Sequence, residues 1–480
     1  FLFLSYEKTS ISEMQGWDFS AAFSSYNLAL FLFIAGFFLS LSRVYHTGDK
    51  VRFFLITWTI VILTSTLLHV RYEYLAVVPV VILASIALAS LHTWTKKRIH
   101  QSVFCFFGIT SGSVNRRVPC MIETHGATIL IGILLLVIAL LTVSNTLGEI
   151  NSTVRDLSIS DDWVDALEWF QTNTPDSGID FYAIYEMNNF TYPNTSYGIL
   201  SWWMYGHWIS VISHRIPLAS PFQNTVYRVA PFFLSTTEAD ANNLADEYGI
   251  KYVITDFSLT ESQFSSLPFW TNGMYQIDRF QFTYSPGNSQ SSKAKVVSFK
   301  KNDFYQDMIF RLHELDGSFF SGVGGMVVHY DRIENESYSR LINTSIVTAL
   351  EANLLARKGL PVGQDLVSTK YSLPVCDVPA LQTYRLIYES PQTVTVSRNS
   401  EVKWVKIFER VPGYVIEGDG TIELPLITNQ GRKFVYQQKS ENGRFIVPYS
   451  TTAAKNRVSA TGPYHILETG ETFAIPELAI

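Results

Sequence analysis

Four long stretches without a charged residue occupy the first third of the chain: Phe19–Ser42, Phe53–Val70, Tyr74–Thr95 and Gly126–Gly148. Crossing the hydrocarbon core of a bilayer takes about 20 predominantly apolar residues, so each stretch is predicted to be a transmembrane helix. Beyond Glu149 the pattern shortens. Ser160 is placed to cap a helix in which Trp163, Leu167 and Phe170 recur at helical spacing, with Asp161 and Asp162 in its first turn. The apolar run IDFYAIYEM (179–187) reads as a strand, and a second run, YGILSWWMYGHWIS (197–210), precedes a loop containing Pro217 and Pro221. Glu238 to Tyr248 reads as a helix closed by Gly249, KYVITD (251–256) as a strand and DFYQDMIFRLHEL (303–315) as an amphipathic helix. Strands alternating with helices predict an α/β domain with a partly parallel sheet over 149–317. From 318 to 480 short β-rich runs follow, among them TYRLIYES, VKWVKIFERV, TIELPLIT, RKFVYQQ and RFIVPYS, and these predict an all-β sandwich.

Loop charges orient the apolar stretches, because Lys and Arg are retained on the cytoplasmic side. Arg43, Lys50 and Arg52 lie between the first and second, and Lys96, Lys97, Arg98, Arg116 and Arg117 between the third and fourth. Both loops are predicted to be cytoplasmic. The N-terminal segment, the short turn around Arg71 and everything after Glu149 then face outward, which predicts a multi-pass cell-membrane protein whose large C-terminal part is extracellular. Five N-x-S/T triplets, at Asn151, Asn189, Asn194, Asn335 and Asn343, all follow the fourth stretch. Any one of them can arise by chance on a Ser/Thr-rich surface, but their joint placement agrees with the orientation.

Composition narrows the function classes. Charged residues make up only 16% of the chain and aromatic residues 14%, against an average of about 25% charged, which suits a chain partly solvated by lipid. A net charge of -6 without a long basic run outside one loop gives no electrostatic reason to expect nucleic-acid binding. Cys105, Cys120 and Cys376 are scattered and lack CxxC spacing, so neither a disulfide framework nor a zinc site is indicated. His207 and His214 lack partners at metal-ligand spacing and read as structural or hydrogen-bonding residues. The chain starts at Phe1 without a basic region ahead of a short apolar stretch, so further sequence is expected upstream.

The segment SWWMYGHWIS (201–210) closely resembles the WWDYG signature of archaeal-type oligosaccharyltransferase catalytic subunits, including the His-Trp-Ile that follows it. SISE at Ser10–Glu13 resembles that family's TIxE motif, and HVRYEYLAVVP around Arg71 its conserved arginine segment. HRIPLASPFQ (214–223) and KYVITD continue a colinear match, and VKIFERVPGYVIEGDG resembles the start of a C-terminal immunoglobulin-like accessory domain. The resemblance implies a membrane protein: transmembrane helices followed by an extracytoplasmic α/β domain and a C-terminal immunoglobulin-like β-sandwich. The implied activity is N-glycosylation, the transfer of an oligosaccharide from a dolichyl phosphate or diphosphate carrier to Asn in the N-x-S/T sequons of acceptor proteins. It would be performed at the lipid bilayer by a single-subunit enzyme using Mn2+ or Mg2+, hard cations that take oxygen ligands. Glu13 would orient the acceptor amide and join the metal site. Trp202, Trp203, Met204, Tyr205 and Gly206 would form the acceptor pocket for the sequon's +2 Ser or Thr. Arg71 would bind the lipid-linked phosphate, although an arginine at the end of a span fits snorkelling to the interface equally well.

The match is incomplete in three places. Met204 stands where the family has Asp, and a thioether is a weak acceptor for the sequon hydroxyl. Gln263 and Leu267 stand where a Lys and a Met or Ile are expected. The family's acidic DxD-type motif is expected upstream of these 480 residues. Glu13 alone cannot hold a hard divalent cation, so this stretch by itself is expected to be inactive. Two alternatives follow: a degenerate paralogue that binds peptide or lipid carrier without transfer, and a membrane-anchored surface protein in which the tryptophans are core.

Overall fold

A computed structural model of the chain describes residues 16–107 (backbone alone from 95), isolated positions between 132 and 147, and 159–480 except 187–188, 272, 286–296, 334–337, 370–372, 398–399 and 454–455. The chain divides into two compact units, Phe1–Ser158 and Ile159–Ile480.

In the first unit a short helix α1 (Phe19–Tyr26), capped by the Asp18 carboxylate, leads into α2 (Leu28–Thr47), α3 (Lys50–Leu68) and α4 (Glu73–Phe107). Helix α2 ends at Gly48 with φ of 62°, and Asp49 at once caps α3 by accepting from the Val51 and Arg52 amides. Three segments are long and apolar enough to cross a membrane: Ala29–Thr47, Lys50–Leu68 and Val70–Trp94. Phe38, Phe53, Phe54, Val61 and Tyr74 are exposed on these helices, as expected of faces whose solvent is lipid. Helices α2 and α4 come together at Gly36, where a Cβ would lie 1.8 Å from the Leu83 carbonyl oxygen. Only a residue without a side chain permits that approach. The third predicted span ends at Thr95, but α4 continues through Lys96–Arg98 to Phe107. Charge ends a membrane crossing without ending a helix, since Lys and Arg are good helix formers. The fourth stretch, Gly126–Gly148, lies for the most part outside the described residues.

The second unit begins with α5 (Asp161–Asn173), capped by Ser160 as predicted. Its central sheet has five strands. Strands β1 (Gly198–Leu200) and β2 (Ile216–Pro217) are parallel to each other, and β1 is parallel to β3 (Ile250–Asp256). Strands β9 (Tyr384–Glu389) and β10 (Val405–Arg410) close the other edge antiparallel, with Val405 opposite Asp256 and Glu409 opposite Tyr252, so that the order is β2-β1-β3-β10-β9. The boundary expected at 317 is therefore crossed by strand pairing. Alternation identifies TYRLIYES and VKWVKIFERV as strands but cannot tell which sheet they join, and β3 needs a partner on the edge that β1 leaves free.

Two other expectations change. IDFYAIYEM is not a strand: both edges of β1 are taken by β2 and β3, and Tyr182 and Ile184 are exposed in irregular chain. DFYQDMIFRLHEL breaks at Asp307 into Asn302–Gln306 and Met308–His313, the second buried throughout and capped by that carboxylate. A second five-stranded sheet combines β4 (Gln281–Tyr284), β5 (Val297–Lys300), β6 (Gly325–Arg332), β7 (Ser339–Val347) and β8 (Gln364–Val367) in the order β5-β4-β7-β6-β8. The strand-rich C-terminal part runs from Tyr414 to Phe473 and packs Ile416, Ile422, Leu424, Tyr436, Phe445 and Ile466 into a core of its own.

Candidate functional site

After β1 the chain does not continue as a strand. Trp202 is extended, Trp203–Tyr205 form a 3-10 turn, Gly206–Trp208 an α-turn and Ile209–Ser213 a π-helical turn, which His214 ends with φ of 51°. Single π-turns inside helices are frequent at functional sites, because the extra residue swings side chains out of helical register. Gly206 is dictated by space: a Cβ there would lie 2.1 Å from the Ala219 carbonyl oxygen.

The five residues expected to line the acceptor pocket divide by depth. Trp202 is 2% exposed and Tyr205 5%, so both are core, and Gly206 is buried backbone. Trp203 is half-buried and Met204 is 36% exposed. A peptide arriving at the surface can touch Trp203 and Met204, whereas the Trp202 ring serves packing. Trp203 also presents an unused donor: its indole Nε1 is buried and has no hydrogen-bond partner among the described residues.

A buried carboxylate fixes this turn from beneath. Asp256, at the end of β3, accepts from the Trp163 indole Nε1 at 2.9 Å, from the Ser258 amide at 2.7 Å and from the Ser258 hydroxyl. The Tyr205 hydroxyl meets the Ser258 hydroxyl at 3.3 Å and lies against the Gln263 side chain. Trp163, Tyr205 and Trp208 pack their rings with centroids 4.1 and 5.8 Å from Trp163 and 5.3 Å between Tyr205 and Trp208. Burial raises the Asp256 carboxyl above its ordinary range against the opposing pull of these donors. Burial and the nearby Asp256 charge together keep Tyr205 protonated. Gln263 and Leu267 stand on this wall, Leu267 fully buried and the Gln263 Oε1 buried with no partner among the described residues.

Arg215 locks the far end. Its buried guanidinium donates to the carbonyls of Gln171, Thr174, Ser213 and His214 and to the Thr174 hydroxyl, closing the C-terminus of α5 and the π-turn together. His214 uses both ring nitrogens, towards Gln171 at 2.9 Å and the Tyr182 hydroxyl at 3.2 Å. The sequence marks Trp163 only as an apolar helix position and does not single out Asp256 or Arg215. Their signal was present but weak: an acidic residue closing an apolar strand, and an arginine between apolar neighbours in HRIPL.

Arg71 lies exposed in the 3-10 turn Val70–Tyr72 between α3 and α4. Glu13 lies outside the described residues, and among those described no group of three or more His, Cys, Asp or Glu converges to hold a metal ion. The described residues do not by themselves fit a divalent cation. Cys376 is a buried free thiol that burial pushes up to about 12.

Two family models match the chain: the AglB core domain over residues 160–260, and the archaeal glycosylation protein B long peripheral domain over 413–480. The first contains Trp163, the 202–206 turn, Arg215 and Asp256. Dolichyl-phosphooligosaccharide-protein glycotransferase 3 of Archaeoglobus fulgidus is 31% identical over 360 residues, covering 63% of this chain and 39% of its own. Dolichyl-monophosphooligosaccharide-protein glycotransferase AglB of Haloferax volcanii is 25% identical over 478 residues, covering 84% and 44%. The fold is shared with the structure of the oligosaccharyltransferase AglB from Archaeoglobus fulgidus in complex with an inhibitory peptide and a dolichol-phosphate. That match has a TM-score of 0.60 at 21% identity and covers 98% of this chain and 58% of that one. The chain thus spans about two fifths of the curated relatives it matches. With an apolar helical unit ahead of a core domain and a peripheral domain in this order, the chain carries two domains of the archaeal AglB type and is similar to archaeal AglB oligosaccharyltransferases.

Proposed function

We propose that this chain is the part of an oligosaccharyltransferase that presents the acceptor sequon, and that the full-length protein transfers an oligosaccharide from a dolichyl phosphate or diphosphate to the amide nitrogen of Asn in N-x-S/T. The observation that carries the proposal is the 203–204 turn, a rigidly backed surface that offers one buried, unused indole donor beside an exposed side chain. A Ser or Thr hydroxyl at +2 is small enough to lie against Trp203 and accept from Nε1. Ala at +2 leaves that donor buried and unpaired as it already is in the free protein and forgoes the bond, a difference of about 0.5–1.5 kcal/mol that is the physical basis for preferring the hydroxyl. Met204 offers a weak acceptor for the hydroxyl proton, so the grip rests on donation from the indole.

Four further assignments belong to the same proposal. The second unit faces the outside of the cell, in keeping with the basic residues between the predicted spans. Arg71 contacts the carrier phosphate with a guanidinium suited to bidentate phosphate binding. Glu13 would supply one oxygen ligand to a Mn2+ or Mg2+ ion, which when bound would neutralise charge on the departing phosphate. The enzyme acts as a single subunit. The test uses the full-length protein from the same reading frame, a lipid-linked oligosaccharide, Mn2+ and acceptor peptides. Transfer to an N-x-T peptide and none to its N-x-A counterpart is expected; no transfer to either, with the donor lipid shown intact, overturns the proposal.

A further inference from the structure

The loop from Thr174 to Tyr197, between α5 and β1, carries two sequons that differ in how they are held. At Asn189-Phe190-Thr191 the outer two residues are exposed and the middle one is half-buried. Phe190 packs between Tyr185 and Tyr192, with ring centroids 4.4 and 5.0 Å away. That local aromatic cluster holds the +1 side chain inward and leaves the Asn189 amide and the Thr191 hydroxyl on the solvent side. Within the chain, the Asn189 Nδ2 donates to the Glu186 carboxylate at 3.2 Å, an exposed contact easily exchanged for water.

The Asn194-Thr195-Ser196 sequon is closed by comparison. Its +2 hydroxyl is half-buried and donates to the Ser177 carbonyl at 2.9 Å, and the Ser196 amide donates to the Pro193 carbonyl in a turn. Asn343-Thr344-Ser345 lies within β7, where Asn343 stands opposite His329 and Ser345 opposite Val327 in the ladder with β6. Its Asn343 side-chain oxygen accepts from the Thr344 amide at 2.7 Å. Seating either sequon in an acceptor site requires breaking hydrogen bonds that the fold has already made.

We infer that Asn189 is a glycosylation site of this protein, so that the chain is itself an acceptor of the class of substrate it handles. The inference rests on the proposed outward orientation of the second unit and on the proposed transfer activity. The group transferred is an oligosaccharide carried on a lipid phosphate. The bond from its anomeric carbon to the phosphate oxygen breaks, the phosphate leaves with the electron pair, the Asn189 Nδ2 bonds to that carbon and one amide proton passes to solvent. Among the three described sequons, occupancy at Asn189 exceeds that at Asn194 and Asn343 by roughly tenfold, the factor expected when a made hydrogen bond must be given up first.

The experiment is mass spectrometry of glycopeptides from the full-length protein purified from an archaeal host. In the same preparation, transfer to an added N-x-T peptide is measured. A glycan on the Asn189 peptide, lost in Asn189→Gln and in Thr191→Ala and kept in Thr191→Ser, supports the inference. A bare Asn189 overturns it: if the added peptide is glycosylated the transfer activity stands alone, and if it is not both fall. Occupancy at Asn194 equal to or above that at Asn189 overturns the argument from hydroxyl accessibility.

Discussion

Replacing Trp163 by Phe keeps an aromatic ring against Tyr205 and removes the indole donor 2.9 Å from the buried Asp256 carboxylate. A hydrogen bond to a charged group contributes about 1.5–3 kcal/mol, and the Ser258 amide and hydroxyl cannot replace it, since both are already engaged. Packing loss adds to this, so the pair is separated by a double-mutant cycle with Asp256→Ala. The single variant is expected to lower the thermal midpoint of the second unit, Ile159–Ile480, by about 2–3 °C for each 2 kcal/mol lost at this size. The cycle is read by urea unfolding of the full chain in detergent, followed by tryptophan fluorescence, with an expected coupling of about 2 kcal/mol. A coupling under about 0.5 kcal/mol would refute the claim that the indole–carboxylate bond ties α5 to the end of β3.

Other outcomes follow from the same geometry. Met204→Asp restores a charged acceptor at the exposed rim and should lower KM for an N-x-T peptide by roughly ten- to a hundredfold in the full-length enzyme; an unchanged KM counts against contact with the acceptor. Gly206→Ala forces a Cβ to 2.1 Å from the Ala219 carbonyl oxygen, and should cost about 2 kcal/mol or more in urea titration while abolishing sequon-dependent binding. Asp256 sets a pH dependence with a definite sign. Its folded pKa is raised, so its contribution to stability is fully present below the unfolded value near 3.8 and is lost as pH rises through the folded one. Asp256→Asn should remove that fall from the stability–pH profile above pH 4, and a profile identical to wild type would contradict the assignment.

Much of this was legible before any coordinates. The apolar stretches, the Ser160 cap, the KYVITD strand and the tryptophan motif announce themselves by length, spacing or residue type. Other features depended on choices that only the folded chain makes. Whether VKWVKIFERV joins a sandwich or the central sheet is decided by which edge of β3 is left open. Trp202 is core and Trp203 is rim, with the 3-10 turn starting between them, whereas the family resemblance had placed both in the acceptor pocket. Asp256 escaped notice because a buried carboxylate has no sequence period; what marks it is the convergence of Trp163 and Tyr205 from distant segments onto Asp256 and its neighbour Ser258.

The most direct test is the ratio of kcat/KM for peptides with Thr and with isosteric Val at +2, measured in the wild-type full-length enzyme and in Trp203→Phe. If the Trp203 indole grips the sequon hydroxyl, the substitution should reduce the Thr-over-Val preference by about two- to tenfold while leaving the Val rate nearly unchanged. An undiminished preference would contradict the account, because the donor that defines the pocket would then have no part in reading the acceptor.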